Sequence, residues 1–431
     1  MVEGDGLVDR LTRALAAAGG WPAADPAGLV DGPLAGVRVL DLSRVLAGPY
    51  AAMVLADLGA DVLKVERPGV GDDTRAWGPP FHGDTAAYFL AVNRGRRSLT
   101  VDLSTAAGAA LVAHLAGAAD VVLENFLPRH LAAFGLDRVR DACPDTVWVS
   151  IRAAAEDGPA GALPGYDVLA QARGGLMSLT GDPDHGPTKV GVAIGDVLAG
   201  LHAAVSALAG LHGRGRGGTA TRVEASRFEA SRFEIGLLES VVAGLVNQAA
   251  NHLVGGVVPR PLGNAHPNLS PYGPLACADG LLVVGVGNDA QFAALCAALG
   301  VPDLAGDPRY ATNADRVAHR DDLVATLEQR LATADVARWR EVLDAAGVPC
   351  APVQDLPAVV ADPQVVATGL VARVDHPAGP LAQVRAPVRV DGVRPPVARR
   401  PPALGEHTDE VLAALGCEPE LVAALRTAGA V

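Results

Sequence analysis

The chain has 431 residues, half of them hydrophobic and only 4% aromatic, with a formal net charge of −13. That length allows two or three domains with a large core built from Ala, Val, Leu and Gly. The acidic balance argues against a general nucleic-acid binder, which needs a basic face, and leaves room for a local basic pocket.

The five cysteines, Cys143, Cys277, Cys296, Cys350 and Cys417, are far apart and form no CxxC pair. They read as small buried hydrophobes in a reducing compartment. Glu3, Asp5 and Asp9 stand where a secretory signal would carry a basic start. No stretch approaches the roughly 18 uncharged apolar residues of a membrane span. A cytoplasmic protein without membrane partners is expected.

Residues 1–33 read as an N-terminal extension, with one short amphipathic helix on Leu7, Leu11, Leu15 and Ala18. From Val37 the pattern changes to strand (VRVLDL), loop (SRVLAGP), helix (YAAMVLADLG) and strand (DVLKVE). That is a βαβ unit, hence parallel pairing. A second round follows, with a strand at 98–103, the helix TAAGAALVAHLAGA, the strand DVVLENF and the strand VWVSI at 147–151. The alternation predicts an α/β class with a Rossmann-like parallel sheet. The first βα turn lacks GxGxxG, which weakens a dehydrogenase reading.

Residues 176–250 read as mostly helical, broken by glycines at 213–218. Within them EASRF occurs twice in tandem, at 224–228 and 229–233. Five residues advance a helix by about 500°, so two helical copies cannot show one face. Further on, a loop at 263–274, the strand GLLVVGVG and helices to about Ala346 make a smaller α+β part. The tail alternates Pro-rich turns with short strands and ends in a helix from His407.

One acidic residue stands out. In GYDVLAQARGG, at 165–175, Asp167 follows a Pro-Gly turn and opens a short helical pattern. An N-cap and a catalytic carboxylate both fit it. Its surroundings favour the second. The ordered stretches at 34–75, 93–103 (NRGRRSLTVDL), 124–126 (ENF), 165–181, 189–201 (KVGVAIGDVLAGL), 263–273 (GNAHPNLSPYG) and 401–412 (PPALGEHTDEVL) together resemble the class III CoA-transferase family, the formyl-CoA and carnitine CoA-transferase group.

The resemblance implies a Rossmann-like large domain and a smaller inserted domain joined by long linkers, in an interlocked homodimer. It divides the chain into the extension 1–33, large-domain residues 34–220, a linker helix at 221–254, a small domain at 255–345 and a return to the large domain at 346–431. It makes Asp167 the nucleophile that takes CoA from an acyl-CoA donor to a carboxylic acid acceptor. It carries CoA contacts onto Val45, Leu46, Ala47, Arg67, Arg96, Asn125, Phe126 and Arg152. Coenzyme A is then a substrate, and neither cofactor nor metal is expected. Arg94, Arg96 and Arg97 also fit a solvated charge cluster. Where many relatives have Arg-Leu-Gly or Arg-Met-Gly after ENF, this chain has Ala133-Phe134-Gly135, so one phosphate contact that the resemblance implies is either missing or taken over by Arg129 or His130. A glycine lid from the partner falls on Gly255, Gly256 or Gly263. Members of this group using succinyl or related dicarboxylic acyl groups are the nearest in pattern.

The alternative is a 2-methylacyl-CoA racemase using Asp167 and a His as acid/base pair. Racemases read GHD where this chain has Tyr166-Asp167, and His130 is the only His near the matching region. A catalytically silent CoA binder is a third reading, which an intact Asp167 opposes.

Overall fold

A computed structural model describes residues 2–215 and 232–431. The described chain divides into two compact units. One comprises residues up to 174, 192–244 and 368–431; the other comprises 175–191 and 245–367.

The first unit is built on β1 (Arg38–Asp41), β2 (Asp61–Glu66), β3 (Arg96–Thr100), β4 (Val121–Glu124), β5 (Val147–Arg152) and β6 (Arg232–Gly236). The order is β3-β2-β1-β4-β5-β6, and every pairing is parallel. This is the doubly wound order, in which the winding direction reverses between β1 and β4. A crevice opens outside the carboxyl ends of those two strands. The helices that serve the sheet are α1 (Val2–Ala18), α2 (Ala47–Asp57), α3 (Ala87–Val92), α4 (Ala106–Ala118), α5 (Asp167–Arg173), α6 (Ile194–Gly215) and α7 (Leu237–Gly244).

Side chains alternate across the sheet with period two. On one face Leu40, Leu63, Leu99, Val122 and Trp148 join Leu111 and Leu115 of α4, Leu11 and Leu15 of α1, and the C-terminal helices Thr408–Ala414 and Pro419–Thr427 in one core. The N-terminal stretch, an extension by sequence, is therefore packed into this unit. On the other face lies α2, with α6 against it. Ala199, Ala203 and Ala207 are fully buried, and a Cβ at Gly200 would stand 2.6 Å from the Ala47 carbonyl oxygen. Small side chains spaced four apart let the two helices approach closely.

Three elements differ from the sequence expectation. β3 opens at Arg96, two residues earlier than Ser98, which draws Arg96 and Arg97 into the sheet. Residues 232–236, expected within a linker helix, form the sixth strand. Arg232 and Phe233 of the second EASRF copy belong to it, and the rest of the tandem repeat lies outside the described residues. Thirdly, α6 is long and apolar enough, by length and composition, to cross a membrane, although no such stretch was expected. Here its alanine face is spent on α2.

The second unit has a three-stranded antiparallel sheet of Tyr272–Ala276, Leu281–Gly285 and Cys350–Pro352. Helices Asp289–Ala298, Arg320–Leu331 and Val336–Ala345 bury Phe292, Leu295, Leu323, Leu327, Trp339 and Leu343 with Leu282 and Val284.

Since Ala203 has no space beside it, Ala203→Leu should destabilise the first unit by about 1–3 kcal/mol through overpacking. Urea unfolding followed by circular dichroism checks this, with Leu201→Ala on the exposed side of α6 as the mild control.

Candidate active site

The crevice at the switch point is bounded by the loop after β1 and by Asn125 after β4. The two sides are hydrogen-bonded together. Arg44 N donates to Asn125 Oδ1 at 3.0 Å, and Asn125 Nδ2 donates to Arg44 O at 2.7 Å. Next in the loop, Val45 has φ 73°, a left-handed conformation that β-branched residues rarely adopt. Asp72 holds it there, accepting from Val45 N with both carboxylate oxygens at 3.2 Å.

Asp72 is itself held from below. Lys64, fully buried, lies 3.1 Å from Asp72 and 3.8 Å from Asp41, and donates to Ser43 O at 2.7 Å. Burial alone would raise the Asp72 carboxyl, but the Lys64 charge and the Thr74 hydrogen bonds outweigh it and hold it below its ordinary value.

Asp167 is the first residue of α5, and Tyr166 occupies the N-cap position. The Asp167 carboxylate does bind a helix N-terminus, but that of α6. Oδ1 accepts from Gly195 N at 2.7 Å and from Asp196 N at 3.4 Å, and Oδ2 accepts from Gln171 Nε2 at 2.6 Å. The positive end of a long helix thus faces a carboxylate that is only 9% exposed. Glycine at 195 is required: a Cβ there would lie 2.9 Å from Asp167 Oδ1.

Asp196, also 9% exposed, lies beside it. Burial and then the Asp167 charge push its carboxyl up to about 7. Tyr88 of α3 is pushed up to about 12 by burial and by the charges of Asp196, Asp167 and Asp72. Trp77 packs edge-on against Tyr88, with centroids 5.5 Å apart, and tilts toward Tyr166 at 6.5 Å.

Two cavities occupy the crevice. One of about 200 Å³ is lined by Val45, Leu46, Ala47, Asn125, Arg152, Tyr166 and Asp196. The other, of about 440 Å³, is lined by Lys64, Arg67, Asp102, Ser104 and Phe134. Arg44, Phe126 and His130 line both.

Residues 34–408 match the model of CoA-transferase family III. The chain belongs to that family. It is 42% identical to a succinate–glutarate CoA-transferase of Agrobacterium fabrum, over 89% of this chain and 96% of that one. It is 39% identical to the human succinyl-CoA:glutarate CoA-transferase, over 88% and 85%. A crystal structure of a CaiB/BaiF family protein from Brucella suis superposes with a TM-score of 0.75 at 40% identity, covering 89% of this chain and 99% of that one. The protein is thus a family III CoA-transferase, an enzyme with a mixed α/β fold.

Most of the residues singled out in this transferase by sequence meet at the crevice. Val45, Leu46, Ala47, Asn125, Phe126 and Arg152 line the smaller cavity, and Arg67 stands exposed at the larger one. Arg152 is buried and ion-paired to Glu124 at 2.9 Å. Phe126 packs edge-on against Phe134, with centroids 5.5 Å apart, so the Ala133-Phe134-Gly135 variation supplies a wall to the larger cavity. Gly255, Gly256 and Gly263 lie in the second unit.

Arg96 is not at the crevice. It is fully buried, bonded to Asp41 at 2.8 Å and to the carbonyls of Pro49 and Val92 at 2.6 and 2.9 Å. The reason is register. Arg96 is an inward position of β3, on the face that carries Asp41 and Lys64. Arg94 and Arg97 are also buried, paired to Asp57 and Asp61. None of the three is a solvated charge.

Gln171, Gly195, Asp196, Trp77 and Tyr88 were not singled out by sequence. The spacing of Asp167 and Gln171, four apart on one helical face, was the available signal for Gln171. Gly195-Asp196 stood within a quoted motif, but its contact with Asp167 depends on tertiary packing.

Arg96→Ala should cost about 3 kcal/mol, because buried Asp41 loses its 2.8 Å partner and keeps only Lys64, at 3.8 Å and shared with Asp72, as a counter-charge. A lowered urea midpoint checks this, with Arg67→Ala, an exposed position, leaving the midpoint unchanged.

Proposed function

We propose that this transferase moves CoA between C4–C5 dicarboxylic acids, with succinyl-CoA as donor and glutarate or a close analogue as acceptor. Asp167 is the nucleophile. The observation that carries the reading is a buried carboxylate beside the switch-point crevice, fixed by three donors, two of them at the positive end of α6 and the third Gln171 of α5. The printed activities of the relatives, succinate–glutarate and succinyl-CoA:mesaconate CoA transfer among them, support the substrate class.

In the first step an Asp167 oxygen attacks the thioester carbonyl. The C–S bond breaks, leaving an acyl-aspartyl anhydride and CoA thiolate. The thiolate then attacks the Asp167 carbonyl, releasing the donor acid as a carboxylate and leaving an aspartyl-CoA thioester. The acceptor carboxylate attacks that thioester and repeats the two steps in reverse order, so that Asp167 is regenerated and the acceptor leaves as its CoA thioester. One hard exchange is split into steps of similar energy. An anhydride hydrolyses readily, so water must be kept out. Trp77, Tyr88 and Tyr166 supply the aromatic cover nearest to Asp167.

Coenzyme A, as substrate, occupies the crevice in this reading. Arg67 at the larger cavity offers its guanidinium fork to a CoA phosphate. Asn125, Phe126 and the loop of Val45, Leu46 and Ala47 form the walls, and Arg152 shapes the floor through Glu124. Arg96 is given a structural part. The interlocked homodimer and the cytoplasmic location belong to the same proposal.

Asp167→Ala should lower turnover of succinyl-CoA with glutarate by at least about 10⁴-fold, as loss of a covalent nucleophile does, while circular dichroism and melting stay near those of the parent. Full turnover in a folded Asp167→Ala protein would remove the nucleophile from this reading.

A further inference from the structure

The smaller cavity has to admit an anion, since donor and acceptor acids leave and enter as carboxylates. Its arginines are already engaged. Arg152 is paired with Glu124 at 2.9 Å, and Arg44 with Asp73 at 3.1 Å. The lining side chain that is deeply buried and has no hydrogen-bond partner among the described residues is Asp196. Its backbone N–H donates to Asp167 Oδ1 at 3.4 Å, and its carboxyl is close enough to that of Asp167 to feel its charge while lining the cavity.

We propose that Asp196 is the recognition residue for the entering and leaving substrate carboxylate, donating a hydrogen bond from its carboxylic acid form to a carboxylate oxygen. This rests on the Asp167 reading above. An O–H to carboxylate hydrogen bond is short and strong, and it lets an anion approach a centre that already holds one carboxylate. The ionised form would repel the same anion. The raised position of the Asp196 carboxyl, about 7, provides the acid form at neutral pH and below. Affinity for the acceptor is therefore full below 7 and is lost as pH rises through it.

Asp167 is the charge that acts on the Asp196 carboxyl, and each element packed around the start of α6 carries further titratable or charged groups. Asp167 and Tyr166 flank the start of α5, Tyr50 is on α2, and Tyr88 is on α3. Arg152 lies on β5 and Glu234 on β6, and Glu239 of α7 accepts from Ala155 N. Arg44, Asp73 and His130 stand across the cavity, and His202 is on α6 itself. Of these the imidazoles are His130, which lines the cavity, and His202, which is exposed on α6 and does not line it, so the experiment separates His130.

The test measures the KM for glutarate at saturating succinyl-CoA from pH 6 to 8.5, a range in which glutarate is predominantly the dianion. For the parent protein KM should rise about 30-fold, the factor for one group titrating near 7. Asp196→Asn, whose amide donates at every pH, should hold KM within about 3-fold across the range, and His130→Asn should keep the parent's rise. A flat parent profile overturns the assignment, as does a rise that survives in Asp196→Asn or vanishes in His130→Asn. A merely structural Asp196 would lower kcat alike at every pH and leave the slope of KM in place. Should Asp196→Asn not fold, Asp196→Ser, whose hydroxyl also donates at every pH, takes its place and should likewise flatten the profile. The Asp167 reading fails separately, through turnover retained in Asp167→Ala.

Discussion

The hydrogen bond from the Gly195 N–H to Asp167 joins two elements distant in sequence, and the position of the Asp167 carboxyl depends on it. Its geometry is fixed by packing. The alanine face of α6 lies on α2 so closely that Gly200 admits no side chain, and α2 follows directly from β1 through the switch-point loop. The start of α6 is thereby referenced to the sheet. Because Gly195 lacks a Cβ, the first turn of α6 can meet the carboxylate through its backbone. The donors to Asp167 are two backbone amides and the buried Gln171, so the carboxylate is held by groups that cannot swing away. Such preorganisation is what an attacking group needs, since small displacements are costly in rate.

Beneath the crevice runs a buried ionic layer of Asp41, Lys64, Asp72 and Arg96. Charges buried at this depth contribute little net stability, because desolvation offsets much of their attraction. Their value here is positional. Lys64 holds Asp72, Asp72 holds the Val45 amide in a left-handed conformation, and Val45 sets the path of the loop into α2. A strained β-branched residue at a site persists only when its surroundings over-determine it. Glu66 adds a second anchor by binding Arg75 at 2.7 Å; burial would raise its carboxyl, but Arg75 holds it below its ordinary value.

Much of this was legible in the sequence. β1, β2, β4 and β5 are apolar runs covered on both faces, which is the pattern of parallel strands. Asp167 was legible through its motif and company. What failed to show had physical causes. β6 is short, carries Arg232 and Glu234, and opens inside the second copy of a repeat that obscures its period of two. β3 begins with two arginines, which hydropathy assigns to solvent although Asp41 and Asp61 await them inside the fold. The short N-terminal helix looked detachable because the surfaces that bury Leu11 and Leu15, α4 and the helices after residue 407, come from far along the chain. Asp196 could be seen as an acidic residue in a motif, but not that its neighbour in space would be Asp167.

The measurement closest to the central claim is intact-protein mass spectrometry after incubation with succinyl-CoA, followed by hydroxylamine and peptide mapping. A covalent aspartyl intermediate should appear as a CoA-sized adduct on the peptide containing Asp167, released by hydroxylamine. Efficient transfer to glutarate with no adduct under rapid quench, or an adduct on another residue, would contradict it.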